Sequence, residues 1–281
     1  MSAAKYFSDS DAAMRVKPTP ERPLDAAQFY AVNPHVFKDY KIGDNMVMSR
    51  KEIVTFAVGG KVLNVHKEVL AGCKVWEKAF QLPLKEAKEK HYTVLYELES
   101  ETNSEFEFQA HLVLFLAMYG VTKLPEDQYC FATSAGPVLV RALALADYRG
   151  AQDYITDRLY LTMTRYFNRL VTWKTIPDFL TRGDIDKLYI LDINETYIAY
   201  KDSNITNKKF PERAFANLIA LHCPARAWGT FQSQLDDDLV RRVGTASMFV
   251  NSWLTSNTVP GNVWERMFLG VDDVSLFRPS N

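Results

Sequence analysis

One stretch of this chain restricts its fold more than any other. Phe106, Phe108, Leu112, Val113, Leu114, Phe115, Leu116 and Met118 are all apolar, and at 3.6 residues per turn they cover nearly the whole circumference of a helix rather than one stripe. Such a helix has to be buried on several sides. The most apolar part, Leu112 to Tyr119, is far shorter than the ~20 residues that cross a bilayer. A buried helix over about 105–119 is therefore expected. Ser104 and Glu107 have the spacing of a capping box at its start.

The residues before it carry strand patterning. Val54, Phe56 and Val58 alternate with Thr55 and Ala57, the period-two signature of a strand with one buried face. Gly59-Gly60 is a two-residue turn signal, and Leu63 and Val65 resume the alternation. Two short helices are predicted at about 66–73 and 75–81, ending near Pro83, followed by a strand at 92–98 with Tyr92, Val94, Tyr96 and Leu98 on one face.

After the apolar helix, Leu139, Ala142, Leu143 and Ala146 form a stripe at i, i+3, i+4 and i+7. Ile155, Leu159, Met163 and Phe167 form another within about 151–167. Beyond 168 only helices and loops are predicted. Thr175, Pro177 and Asp178 resemble a helix start, and Phe215, Leu218, Ile219 and His222 make a stripe closed by Pro224. Asp236-Asp237-Asp238 suit the first turn of a long helix, where they complement its dipole, with Val243, Ala246, Val250 and Trp253 facing inward. No repeat of about 20–50 residues occurs, which excludes a propeller or solenoid.

Residues 1–45 differ in character and are expected to be a flexible segment, because Pro18, Pro20 and Pro23 favour extended chain. Its aromatic cluster, Phe29, Tyr30, Phe37 and Tyr40, is expected to pack on the folded body.

Charge and chemistry then narrow the function. The net charge is −1, so no electrostatic pull toward nucleic acid or an anionic membrane is expected. Cys73, Cys130 and Cys223 are odd in number and lie far apart, which fits a reducing compartment rather than a disulfide framework. The opening residues lack the apolar run of a secretory signal, and an intracellular site, nucleus or cytoplasm, is expected. The five histidines, His35, His66, His91, His111 and His222, have no ligand spacing with one another or with the cysteines. Gly59-Gly60-Lys61 lacks the spacing of a phosphate loop, and no nucleophile elbow or zinc-protease motif occurs. No catalytic residue, metal ligand or cofactor site is assigned, and an enzyme is not expected.

The run Val54-Thr-Phe-Ala-Val-Gly-Gly-Lys-Val-Leu-Asn-Val-His-Lys-Glu-Val-Leu70 resembles the opening of a BTB/POZ domain of the fungal type. In that family strand, turn and strand lead into a V-H-K-x-x-L helix, here Val65 to Leu70. Cys73 holds the place of a small residue, Trp76 that of an aromatic, and Ala79-Phe80 that of the end of the next helix. Val94 to Leu98, Met118-Tyr119-Gly120 and Leu143-Ala-Leu-Ala-Asp147-Tyr148 follow in the family's order. The resemblance covers about 50–168. Ile53 departs from it, standing where the family usually has an aspartate that helps form its dimer pocket.

The resemblance implies an α+β fold, a small sheet flanked by helices over 46–168, followed by an all-helical extension over 169–281. His66 is then a structural hydrogen-bonding residue at the strand–helix junction. It also implies protein–protein interaction, self-association as a homodimer, and an adaptor role in a cullin-RING ubiquitin ligase, with the extension recruiting a substrate protein. In such adaptors an apolar-x-Glu motif follows the second helix, its apolar residue four positions after the Phe. Counting from Phe80 gives Leu84 and Glu86. Leu84 is then expected to insert into a groove on the cullin, Glu86 to fix the loop, and Tyr119 to line the same surface. The alternatives are a BTB scaffold in transcriptional or signalling regulation and, remotely, an unrecognised enzyme.

Overall fold

The computed structural model of the chain describes residues 24–38, 52–81, 91–93, 101–121, 135–172, 182–206, 208, 212–223 and 225–255. In chain order these form α1 (Ala26–Val32), β1 (Ile53–Val58), β2 (Lys61–His66), α2 (Lys67–Leu70), α3 (Lys74–Gln81) and β3 (His91–Thr93). Then come α4 (Glu101–Met118), α5 (Ala135–Tyr148), α6 (Asp153–Thr172), α7 (Arg182–Asp202), α8 (Arg213–His222), α9 (Ala225–Phe231), a 3-10 turn (Gln232–Gln234) and α10 (Asp237–Thr255). The class is α+β and mostly helical.

The sheet follows from the alternation. Val54, Phe56 and Val58 are all buried, with Val54 opposite Val65 and Phe56 opposite Leu63 in an antiparallel pair. Gly59 and Gly60 turn the hairpin at φ of +56° and +75°, a region that suits glycine. β3 adds to the other side of β1 in parallel, with Tyr92 opposite Phe56, giving the order β2-β1-β3. The predicted strand face beyond Tyr92 lies outside the described residues, as does Pro83.

α4 is buried from Ala110 through Met118, no residue more than 6% exposed, because β1, β2, α5 and α6 all pack on it. Its start differs from expectation. The helix already begins at Glu101, so Ser104 sits inside it rather than capping it. Glu107 has another partner: its Oε1 accepts from Arg141 Nε at 2.7 Å. The early start places the Ser104 carbonyl directly against Gly59, where a Cβ would lie 2.4 Å from that oxygen.

The two following stripes are core. Leu139, Ala142, Leu143 and Ala146 on α5 are buried, and Ile155, Leu159, Met163 and Phe167 on α6 are wholly so. The boundary expected at 168/169 falls within α6, which continues to Thr172. The core does not divide there. Phe167 meets Phe215 of α8 edge-on at 5.8 Å, and Tyr160 of α6 reaches Tyr200 of α7, oxygen to oxygen at 3.3 Å. After 168 the described residues hold helices and connections but no strand.

Asp236 caps α10, its Oδ1 accepting from the N–H groups of Asp238 at 2.9 Å and Leu239 at 3.1 Å. Asp238, in the first turn, accepts from Tyr197 Oη and Arg242 Nε, which together hold its carboxyl down to about 2. Of the predicted inward stripe, Val243 and Ala246 are buried, while the side chains of Val250 and Trp253 lie outside the described residues, as do Thr175, Pro177 and Asp178.

The described part of 1–45 is not a flexible linker. Asp25 caps α1 by accepting from the Gln28 N–H at 3.2 Å, and Phe29 and Phe37 are buried. The cause is the aromatic cluster: burying two phenylalanines is worth about 3–6 kcal/mol, enough to order a segment that prolines alone would leave extended.

The hairpin turn generates a paired expectation. Gly59→Ala combines a left-handed φ with a backbone clash and is expected to cost at least about 2 kcal/mol. Gly60→Ala, with nothing within 4 Å of its Cβ position, pays only the left-handed φ, about 1 kcal/mol. Urea denaturation of both variants measures the difference, and equal costs would contradict the contact at Ser104.

Candidate partner-binding site

Of the three residues expected to meet a partner, Leu84 and Glu86 lie outside the described residues. Tyr119 follows α4 and is only 4% exposed. Its ring packs on Phe29 of α1, centroids 4.9 Å apart. Its hydroxyl accepts from the His66 backbone N–H at 2.8 Å and meets His66 Nδ1 at 2.7 Å. With His66 protonated on Nε2, the hydroxyl accepts from the backbone and donates to the ring, so one oxygen satisfies two buried groups. Burial also drives the Tyr119 phenol above its ordinary pKa. The structure therefore uses Tyr119 to pin the strand–helix junction from inside, not to line an outer surface. His66, fully buried at the end of β2, has the structural hydrogen-bonding role expected of it.

The other titratable groups of this half are also inward. Burial pushes the Cys73 thiol up to about 12, a shift that Arg149 partly offsets, which is the reverse of an activated nucleophile. His111 donates its Nδ1–H to the Glu107 carbonyl at 2.8 Å, and burial lowers its pKa to about 4. Among the described residues no three His, Cys, Asp or Glu side chains converge as metal ligands.

An outward-facing feature lies elsewhere. A cleft of about 870 Å³ runs between α3, α5 and α7, floored by Phe56 and Trp76, with Val75, Ala144, Tyr148 and Arg149 along its sides. The turn after α5 is fastened to the start of α3: the N–H groups of Lys74 and Val75 donate to the carbonyls of Gly150 and Arg149 at 3.2 and 3.1 Å. These bonds satisfy donors that a helix start leaves over, and they fix Arg149 over Trp76. The guanidinium carbon lies 5.3 Å from the Trp76 ring centroid and 5.4 Å from that of Tyr148. Trp76 and Tyr148 stand at pattern positions of the sequence, and Arg149 does not. Arg149 directly follows Tyr148 in the chain, and that adjacency is the signal the sequence offered.

No family model, no curated protein and no solved structure matches the chain. Among the described residues no helix is long and apolar enough to cross a membrane.

Two outcomes follow from the buried groups. Tyr119→Phe removes the hydroxyl that serves the His66 N–H and Nδ1, and a cost of about 1–3 kcal/mol in urea denaturation is expected, without loss of fold. For His111 the unfolded chain takes up a proton as pH falls below 6.5, while the folded chain resists until about 4. Its contribution is complete above pH 6.5 and is lost progressively between there and 4, by about 3 kcal/mol in total. Thermal melts from pH 7.5 to 4.5 are expected to fall more steeply for the parent than for His111→Gln; parallel slopes would contradict the assignment.

Proposed function

We propose that the chain is a BTB-type protein–protein interaction module that self-associates and acts as an adaptor for a cullin-RING ubiquitin ligase. The observation that carries this reading is the order of elements around the V-H-K-x-x-L junction. A hairpin feeds α2 at Lys67, α3 follows with Trp76 on its buried side, and β3 returns parallel to β1 beside it. The buried helix α4 and then α5 complete the series, which is the order the resemblance implies. In this reading the BTB fold spans 46–168, and the helices beyond it recruit or orient a substrate protein.

A second reading, a BTB scaffold in transcriptional or signalling regulation, is favoured by one observation. Tyr119, which the ligase reading would place on the cullin surface, is buried beneath Phe29. Self-association is common to both readings, and Ile53, 37% exposed at the start of β1, offers an apolar contact where the family's aspartate is missing.

Both are tested on the purified full chain. Light scattering at tens of micromolar, a range suited to weak interfaces, is expected to give a dimer, and a monomer would contradict self-association. Cullin binding and melting temperature are then measured on the same Leu84→Ala protein. The ligase reading expects binding weakened by about 1–3 kcal/mol with the melting temperature unchanged, and a smaller loss for Glu86→Ala. A parent that binds no cullin leaves the scaffold.

A further inference from the structure

We infer that β2 pairs edge to edge with β2 of a second copy of this chain, about a two-fold axis through Asn64, once the strap of residues 24–38 lifts from that edge. The inference rests on the self-association proposed above and names the surface that carries it.

Gly59-Gly60 closes a two-residue hairpin, so Lys61, Leu63 and Val65 of β2 direct their backbone groups at β1, and Val62, Asn64 and His66 direct theirs outward. Each of the three outward residues meets a side chain where a neighbouring strand would lie. His35 donates its Nε2–H to the Val62 carbonyl at 2.7 Å. The Asn33 amide donates to the Asn64 carbonyl at 2.8 Å and accepts from the Asn64 N–H at 2.7 Å. The Tyr119 hydroxyl accepts from the His66 N–H at 2.8 Å. His35 and Asn33 belong to the strap, and Tyr119 is covered by it through the Phe29 ring. Lifting the strap therefore frees or uncovers all three.

The groups so engaged complement themselves, which is why the occupant is a second copy. Residues directly opposite in an antiparallel pair exchange both backbone bonds, and a two-fold axis sets the central residue against its own copy. Asn64 has its N–H and its carbonyl both outward, with Val62 and His66 flanking it equally. Pairing about Asn64 sets the two Asn64 residues against each other and each Val62 carbonyl against the other copy's His66 N–H. These are the same four groups per chain that the side chains hold. The Tyr119 hydroxyl yields the N–H and keeps its bond to His66 Nδ1. Two sheets of order β2-β1-β3 then join into one of six strands, an ordinary size.

The strap is built to lift. α1 has seven residues, below the length at which a helix holds by itself in water, so its order depends on the body it lies on. It is not seated along its whole length. A cleft of about 500 Å³ separates His35, Val36 and Phe37 from Gly60, Lys61 and Phe108, whereas packed interiors leave few voids.

The test uses the full chain. Asn64→Cys, Ile53→Cys and the parent, which carries only its native cysteines, are oxidised side by side with copper phenanthroline and run on non-reducing gels. Across the paired edge the two residues at 64 stand about 5.5 Å apart at Cα, within reach of a disulfide. A linked dimer is expected for Asn64→Cys and not for the parent. Asn33→Ala removes both bonds that hold Asn64 and is expected to tighten dimerisation about tenfold in light scattering over a dilution series, since less has to be stripped before pairing. His35→Ala, at an exposed position, is expected to tighten it severalfold at an unchanged melting temperature. If Ile53→Cys links and Asn64→Cys does not, the inference is overturned while self-association stands on another surface. Dimerisation that is unchanged or weaker in both Asn33→Ala and His35→Ala overturns it as well. A parent and variants that all stay monomeric at tens of micromolar overturn self-association itself.

Discussion

The rest of the structure depends on enclosing α4. A helix with apolar residues on all faces has no side it can offer to water, so every other element near it is placed by the need to cover one of its faces. The sheet covers one through Phe56, whose ring lies 5.0 Å from Phe115. α5 and α6 cover two more, and α1 closes the C-terminal end by laying Phe29 on Tyr119. Each fully buried apolar side chain is worth roughly 1.5–3 kcal/mol, so leaving any face open would forfeit a large share of a typical domain's stability. One consequence concerns function. Because α4 is interior, any contact with another molecule has to use the outer faces of the elements that wrap it.

Those outer faces are not equally available. A sheet edge normally presents unpaired backbone groups that invite strand addition. On β2 this edge is occupied by the turn after α1. The Asn33 side chain accepts from the Asn64 N–H at 2.7 Å and donates to the Asn64 carbonyl at 2.8 Å. A side-chain amide thereby makes the pair of bonds another strand would make. The Asn64 side chain returns the contact to the Val32 carbonyl at 3.0 Å, and His35 Nε2 meets the Val62 carbonyl at 2.7 Å. Pairing of two copies along this edge would first have to strip these bonds.

Much of this was legible in the sequence where the signal was local. Alternation fixes which face of β1 is buried, Gly59-Gly60 fixes the turn, and the i, i+3, i+4, i+7 stripes of α5 and α6 fix their inner sides. Where spacing competed with distant contacts it misled. Ser104 and Glu107 satisfy the capping-box spacing, yet Arg141, far along the chain, takes the Glu107 carboxylate, and the helix extends past its nominal cap. Pro18, Pro20 and Pro23 favour extended chain, but a few residues later burial of Phe29 and Phe37 orders the segment. Arg149 was invisible for a related reason: its position comes from the carbonyls that cap α3, and no single-chain pattern reports a backbone zipper between a turn and a helix start. Tyr119 was visible as a pattern position, but whether a tyrosine faces in or out depends on what lies over it, here a helix roughly ninety residues upstream in sequence.

The same dependence on distant contacts binds the two halves of the chain. Tyr197 and Tyr200 of α7 are wholly buried and pack on Phe215 at 5.8 and 5.7 Å, while Phe167 of α6 reaches the same ring from the other half. The Tyr197–Asp238–Arg242 cluster, extended by the Arg242 contact to Glu212 at 3.1 Å, then ties α7 and α10 to the residue preceding α8. An aromatic centre shared by both halves means that each completes the other's core, and a chain cut at 168 would lose the ring that Phe167 packs on. It would also lose the α7 wall of the cleft that holds Arg149. The cleft is therefore built by both halves, with residues of α3 and α5 on one side and of α7 on the other.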